Sequence, residues 1–246
     1  MEFNDINSPI DRADQPQVGT MAKSFLSSVF TYMSAALAIT GIVAYWFGND
    51  INLMSLMFNI ENGYIMGMSI LGYVIAFAPL GMVLLISASF HKFSSTTLVV
   101  LFIVFSILMG MSLSTIFLRY TGASIVSTFF ITAATFGVMA VLGYTTKTDL
   151  TKFGSILMMG LIGIIIAMVV NIFLQSGTMD YIISGIGVLI FTGLTAYDVQ
   201  KLKRIGSGIE YETEESNKLA IMGALNLYLD FINLFLFLLR FMGDRK

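Results

Sequence analysis

Long apolar runs separated by short polar stretches dominate the 246-residue chain, at roughly 25–47, 64–90, 95–118, 123–143, 153–174, 181–200 and 219–241. About 20 apolar residues, each rising 1.5 Å along a helix, suffice to cross the hydrocarbon of a bilayer. The pattern therefore predicts seven transmembrane helices. The last run, LAIMGALNLYLDFINLFLFLLRF, differs from the rest. It carries one acid, Asp230, near its middle, and Asn226, Asp230 and Asn233 stand four and three residues apart, so all three project from one helical face. A charge at the centre of such a helix costs roughly 2.5–3.5 kcal/mol to insert, so Asp230 must face protein or water. A helix with one polar stripe and an otherwise apolar surface belongs inside a bundle, surrounded by the other segments.

The earlier runs carry weaker marks. The first ends in Tyr45 and Trp46, suited to a membrane interface. Pro79 and Gly81 in the second predict a kink or local unwinding. Ser106, Gly110 and Ser114 in the third form a small-residue strip that lets a neighbouring helix approach closely. The fifth carries Asn171 near its end, and the sixth reaches Asp198 just before a basic cluster of Lys201, Lys203 and Arg204. Residues 1–24 are polar, lack the pattern of a signal peptide, and read as a short disordered tail ahead of a transmembrane domain over 25–243.

Composition fixes the class. The chain is 57% hydrophobic and 11% charged, where soluble domains are about a quarter charged, so it reads as an integral membrane protein. A net charge of −2 without a basic patch excludes nucleic acid as a partner. The absence of cysteine excludes disulfides, thiolate metal sites and a cysteine nucleophile, and a single histidine cannot build a polyhistidine site, so no tightly bound cofactor is expected. Lys and Arg set the orientation. With the N-terminus inside, Arg12, Lys23, Lys92, Lys147, Lys152, Lys201, Lys203, Arg204 and Lys218 are cytoplasmic, against Arg119, Arg240, Arg245 and Lys246 on the other side. Nine against four favours a cytoplasmic N-terminus, and seven spans then place the C-terminus outside. The loop before the last span holds Glu210, Glu212, Glu214 and Glu215, which read as a solvated connector or, more sharply, as a cation attractor at a pore mouth.

Asp198 and Asp230 are the acids lying clear of the outermost turns of the spans, and intramembrane acids are functional candidates that need a partner. Two carboxylates held together repel when both are ionised. Such a pair can share a proton, ligate a hard cation such as Ca²⁺ through oxygen, or act as an acid/base couple. The alternatives are an interfacial Asp198 paired with Lys201 and a purely structural Asp230. At 1.5 Å per residue Asp230 lies about 18 Å from its loop and Asp198 much shallower. Bringing them together requires a sixth helix that continues beyond the membrane, or a late start for the seventh.

FTGLTAYDVQKLK (191–203) and LNLYLDFINLFLFLLRFMG (225–243) resemble the two signature segments of the transmembrane Bax inhibitor motif family, and span count and loop lengths extend the resemblance over roughly residues 20–243. It implies an all-α, seven-helix membrane fold with the last helix central and wrapped by the other six. It also implies a pH-sensing aspartate pair, here Asp198 and Asp230, that gates a calcium leak in a bacterial inner membrane. In the bacterial calcium-leak members a basic residue at the inner end of helix two latches the helix-six aspartate. Lys92, or alternatively His91, would stand in here, and Lys lacks the planar two-pronged contact of Arg with carboxylate.

The leading reading is thus a pH-responsive cation leak with calcium as the transported ion, bound weakly by Asp198 and Asp230 with Asn226 and Asn233 in support, and with lipid, calcium and protons as partners. Two carboxylates fall short of the six to eight oxygens calcium takes, and weak binding suits conduction. A second reading is a regulatory membrane protein that engages a membrane-bound ATP-dependent protease or cell-death machinery. A third, intramembrane aspartyl proteolysis, fits poorly. Tyr197-Asp198 matches that class's first motif, but Leu227-Tyr228-Leu229 precedes Asp230 where Gly-x-Gly is needed, so the chain is not expected to be an enzyme.

Overall fold

The computed structural model describes residues 15–61, 64–210 and 213–246. Of the tail read over 1–24, residues 1–14 lie outside them, as does the loop acid Glu212, while 15–24 belong to the first helix rather than to a disordered tail. Nine helices and one hairpin follow in order among the described residues: α1 (Gln15–Asn49), α2 (Ile51–Met57), β1 (Phe58–Glu61), β2 (Tyr64–Met68), α3 (Ile70–Ser89), α4 (Ser95–Leu113), α5 (Ile116–Arg119), α6 (Gly122–Thr145), α7 (Thr151–Leu174), α8 (Gly177–Ser207) and α9 (Glu214–Met242). Seven of these segments are long and apolar enough to span a membrane, counting α4 and α5 together as Ser95–Arg119.

Local chemistry sets the helix starts. Ser69, Ser94, Thr121, Ser176 and Thr213 each accept a backbone N–H from the first turn of the helix that follows. At Thr213 the Ser216 hydroxyl answers reciprocally, closing a capping box. The stretch between the first two apolar runs carries no span and is expected to be a simple connector. Instead Asp50 caps the short α2, and β1 pairs antiparallel with β2. The unwinding expected at Pro79 is not seen, since α3 is helical throughout.

Burial rises sharply towards the C-terminus. Within the membrane-length windows, 72% of α9 is buried, 50% of α8 and only 6% of α7. The apolar sides of α9 are covered mainly by α1, α4, α6 and α8, whereas α3 packs chiefly on α4 and α7 chiefly on α8. Small residues set the closest approaches. On α4, Gly110 meets the Thr40 carbonyl and Val43 of α1 at the small-residue strip. On α6, Gly143 lies against the backbone of Ala196 in α8, where an added Cβ would overlap the Ala196 carbonyl oxygen. Deep in this packing Tyr228 shares a 2.7 Å hydrogen bond with Thr40, whose hydroxyl also reaches the Ser106 carbonyl at 2.9 Å. Tyr228 is fully buried and makes edge-to-face contacts with Phe102 and Phe105.

Candidate functional site

Along α9 the positions that escape full burial recur at Met222, Asn226, Leu229, Asn233, Leu236 and Arg240, a spacing of three and four that traces one face. Asp230 lies on the inner border of this stripe, only 7% exposed. The stripe lines a cavity of about 510 Å³ between α7, α8 and α9. Met158, Leu161, Ile165 and Met168 of α7 form an apolar wall, while Asp198, Asn226, Asp230 and Asn233 supply polar atoms, with Arg240 also in the lining.

Two of the aspartates named from the sequence come together here. Both side chains line the same cavity, close enough for the two carboxyl groups to influence each other. The obstacle met in the sequence disappears because α8 does not end near residue 200. It continues to Ser207, nine residues past Asp198, or about 14 Å at 1.5 Å per residue. Asp198 therefore sits well inside a helix, half-buried. Asp230 Oδ2 is buried and has no hydrogen-bond donor among the described residues. Neither Asn226 nor Asn233 donates to it, although both face the same cavity. Lys201, three residues along α8, supplies favourable charge to Asp198. Among the described residues no third acid or histidine completes a metal-binding cluster with the pair.

Lys92 and His91 stand apart. Both are exposed in the turn between α3 and α4, His91 lying edge-on to Phe90, and neither forms an ion pair among the described residues. The arrangement is one in which the latch is not made. The basic cluster read as a loop signal is instead bound into the helix packing. Lys203 donates to the Tyr144 carbonyl at 2.7 Å and lies over the Tyr144 ring. Gln200 accepts from the Leu150 N–H and donates to the Thr148 carbonyl, and Arg204 pairs with Asp149. Hydrogen bonds from Thr151, reinforced by Arg204, hold the exposed Asp149 carboxyl below the usual carboxylate range. These contacts pin the start of α7 to the end of α8, immediately beside Asp198.

The acidic loop also has a structural use. Glu214 accepts from the backbone N–H of Ser95 at 2.6 Å and from its hydroxyl at 2.7 Å, tying the start of α9 to the start of α4. An acid there complements the positive end of α4.

A bundle of seven membrane-length helices, with a carboxyl pair lining a cavity in its membrane-length segments, defines an integral membrane protein. Residues 22–246 match the family described as "Inhibitor of apoptosis-promoting Bax1", and the chain belongs to that family. It is 43% identical over 237 residues to the inner membrane protein YbhL of Escherichia coli K12, covering 96% of this chain and 97% of that one. An uncharacterized protein of Borreliella burgdorferi is 45% identical over 237 residues, covering 96% and 99%. An uncharacterized membrane protein of Streptococcus pyogenes serotype M1 is 32% identical over 221 residues, covering 89% and 92%.

Proposed function

We propose that the protein is a pH-responsive cation leak of a bacterial inner membrane, with its N-terminus in the cytoplasm and calcium as the ion that passes. The observation that carries the reading is the Asp198–Asp230 contact at the wall of a cavity, with Asp230 Oδ2 left without a donor. Two carboxylates at this separation repel when both are ionised, and either a shared proton or a cation relieves the repulsion. Protons and calcium then compete for the same oxygens. Calcium takes six to eight oxygen ligands, so the two carboxylates, the amide oxygens of Asn226 and Asn233, and water together make a weak, wet site that an ion can leave. The apolar α7 wall gives the ion no further anchor. Lys92 is proposed to reach Asp198 in a closed arrangement in which α3 swings towards the cavity.

Reconstitution into liposomes containing a calcium dye tests this reading. Calcium entry that varies with pH and is abolished by Asp230→Asn supports it, while entry equal to that of empty liposomes overturns it. A second reading is a regulatory membrane protein, with cell-death machinery as the partner class that the family description suggests and a membrane-bound ATP-dependent protease as the alternative. That reading moves ahead if the reconstituted protein passes no cations. Proteolysis by the pair would require cleavage of a labelled membrane peptide that Asp230→Asn abolishes.

A further inference from the structure

At the opposite end of the bundle from the α6–α7 and α8–α9 loops, a second cavity of about 490 Å³ opens beside the first, and the two share Met168 and Arg240. Arg119, Arg240 and Arg245 line it, together with a single acid, Asp180. Each Asp180 oxygen takes one guanidinium, Arg240 at 3.5 Å on Oδ1 and Arg245 at 3.4 Å on Oδ2. Arg119 has no acid within ion-pair distance among the described residues. Three guanidiniums against one carboxylate leave an excess of two positive charges in one concavity.

The charges are held by structure. Arg245 belongs to a backbone bridge with Tyr120, the Lys246 N–H donates to the Arg119 carbonyl, and the Asp244 N–H donates to the Ser124 hydroxyl. Arg240 rides on the rigid end of α9, over the Phe237 ring. Gln175, also lining the cavity, adopts φ 50°, a left-handed conformation that non-glycine residues rarely take and that turns the chain from α7 into α8. The neighbouring Asn171 amide is consumed by Ser176, accepting from its backbone N–H and donating to its carbonyl, so Gln175 supplies the uncharged amide lining the space.

We propose that this vestibule is an oxyanion site that takes a phosphate group, with Arg119, Arg240 and Arg245 as its cationic wall and Asp180 as an internal placeholder for the anion. Guanidinium groups match the geometry of tetrahedral oxyanions through paired N–H donors. Both free phosphate and the phosphate of a phospholipid headgroup carry this chemistry, and the vestibule sits where a headgroup can reach it. The inference stands apart from the aspartate pair and does not depend on the leak reading.

The test uses the full chain in detergent, titrated with inorganic phosphate at constant ionic strength and followed by calorimetry. The expected result is saturable binding that Arg119→Gln and Arg245→Gln each weaken about tenfold or more, the loss of a charge-assisted contact, while Arg119→Lys, which keeps the charge but not the paired donors, recovers only part of it. Asp180→Asn should tighten phosphate binding by freeing two guanidiniums. A merely structural salt bridge would instead lower thermal stability without improving binding. Phosphatidylglycerol added in mixed micelles identifies the source. If it displaces phosphate competitively, the site reads a lipid headgroup, and if phosphate binds unchanged, the site takes the free ion. Absence of saturable binding, binding unaltered in the Arg119→Gln/Arg245→Gln double variant, or weaker binding in Asp180→Asn overturns the proposal.

Discussion

Two glycines on α6 should respond to the same substitution with opposite signs. Gly137 has nothing within 4 Å of where a Cβ would stand, whereas a Cβ on Gly143 would overlap the Ala196 carbonyl oxygen of α8. Gly137→Ala should therefore be neutral or stabilising, by up to about 1 kcal/mol, the usual helix-propensity difference. Gly143→Ala gains the same propensity but must push two helix backbones apart, because the obstructing atom is main chain and cannot rotate away. Overpacking of this kind costs about 1–3 kcal/mol, so the net loss should be about 0–2 kcal/mol, and Gly143→Leu should lose more. Thermal unfolding in detergent, comparing both variants with the parent, measures the difference. Ala196 stands two residues before Asp198, so the Gly143 variants should also alter the aspartate pair, while Gly137→Ala should not. If Gly143→Ala proves as stable as Gly137→Ala, the close packing of α6 on α8 is wrong.

Tyr228→Phe should cost about 0.5–1.5 kcal/mol, because it strips the Thr40 hydroxyl of one buried partner while leaving its bond to Ser106. A thermal-unfolding double-mutant cycle with Thr40→Val should show strong coupling, and additive losses would deny the contact. The Asp149 carboxyl is held low by hydrogen bonds from Thr151 and by Arg204, so its contribution is present above the ordinary carboxylate range and lost as pH falls through that range towards its lowered value. Amide exchange at the start of α7 should accordingly quicken on acidification, beyond its intrinsic pH dependence, in the parent but not in Asp149→Asn. Lys92→Ala should raise resting ion flux and Lys92→Arg preserve or reduce it, and unchanged flux in both would remove the latch but not the aspartate pair. Cysteine scanning of α9 with an impermeant thiol reagent, unhindered by native cysteines, should label Asn226 and spare Leu227 and Leu234.

The seven spans and the polar face of α9 were legible because each is written in a single period: apolar runs of membrane length, and the three- and four-residue spacing of Asn226, Asp230 and Asn233. The meeting of Asp198 with Asp230 was legible only through family resemblance. Lys201, Lys203 and Arg204 look like a loop, yet Lys203 and Arg204 are satisfied by Tyr144 and Asp149, contacts about sixty residues distant that no local pattern announces. The hairpin was less legible, because its strands are only four and five residues long. The arginine vestibule was not visible either. Arg119, Asp180 and the Arg240–Arg245 segment come from three separate stretches, and only the fold converges them.

Calcium flux into liposomes, measured between about pH 5 and pH 8 for the parent, Asp198→Asn, Asp230→Asn and the double variant, bears most directly on the central claim. If the two carboxyl groups act as one unit, each single substitution abolishes the pH dependence and the double variant is little worse than either single. Independent carboxylates would give additive effects and leave the pH response largely intact, and single variants that keep the parent's pH profile would contradict the shared site.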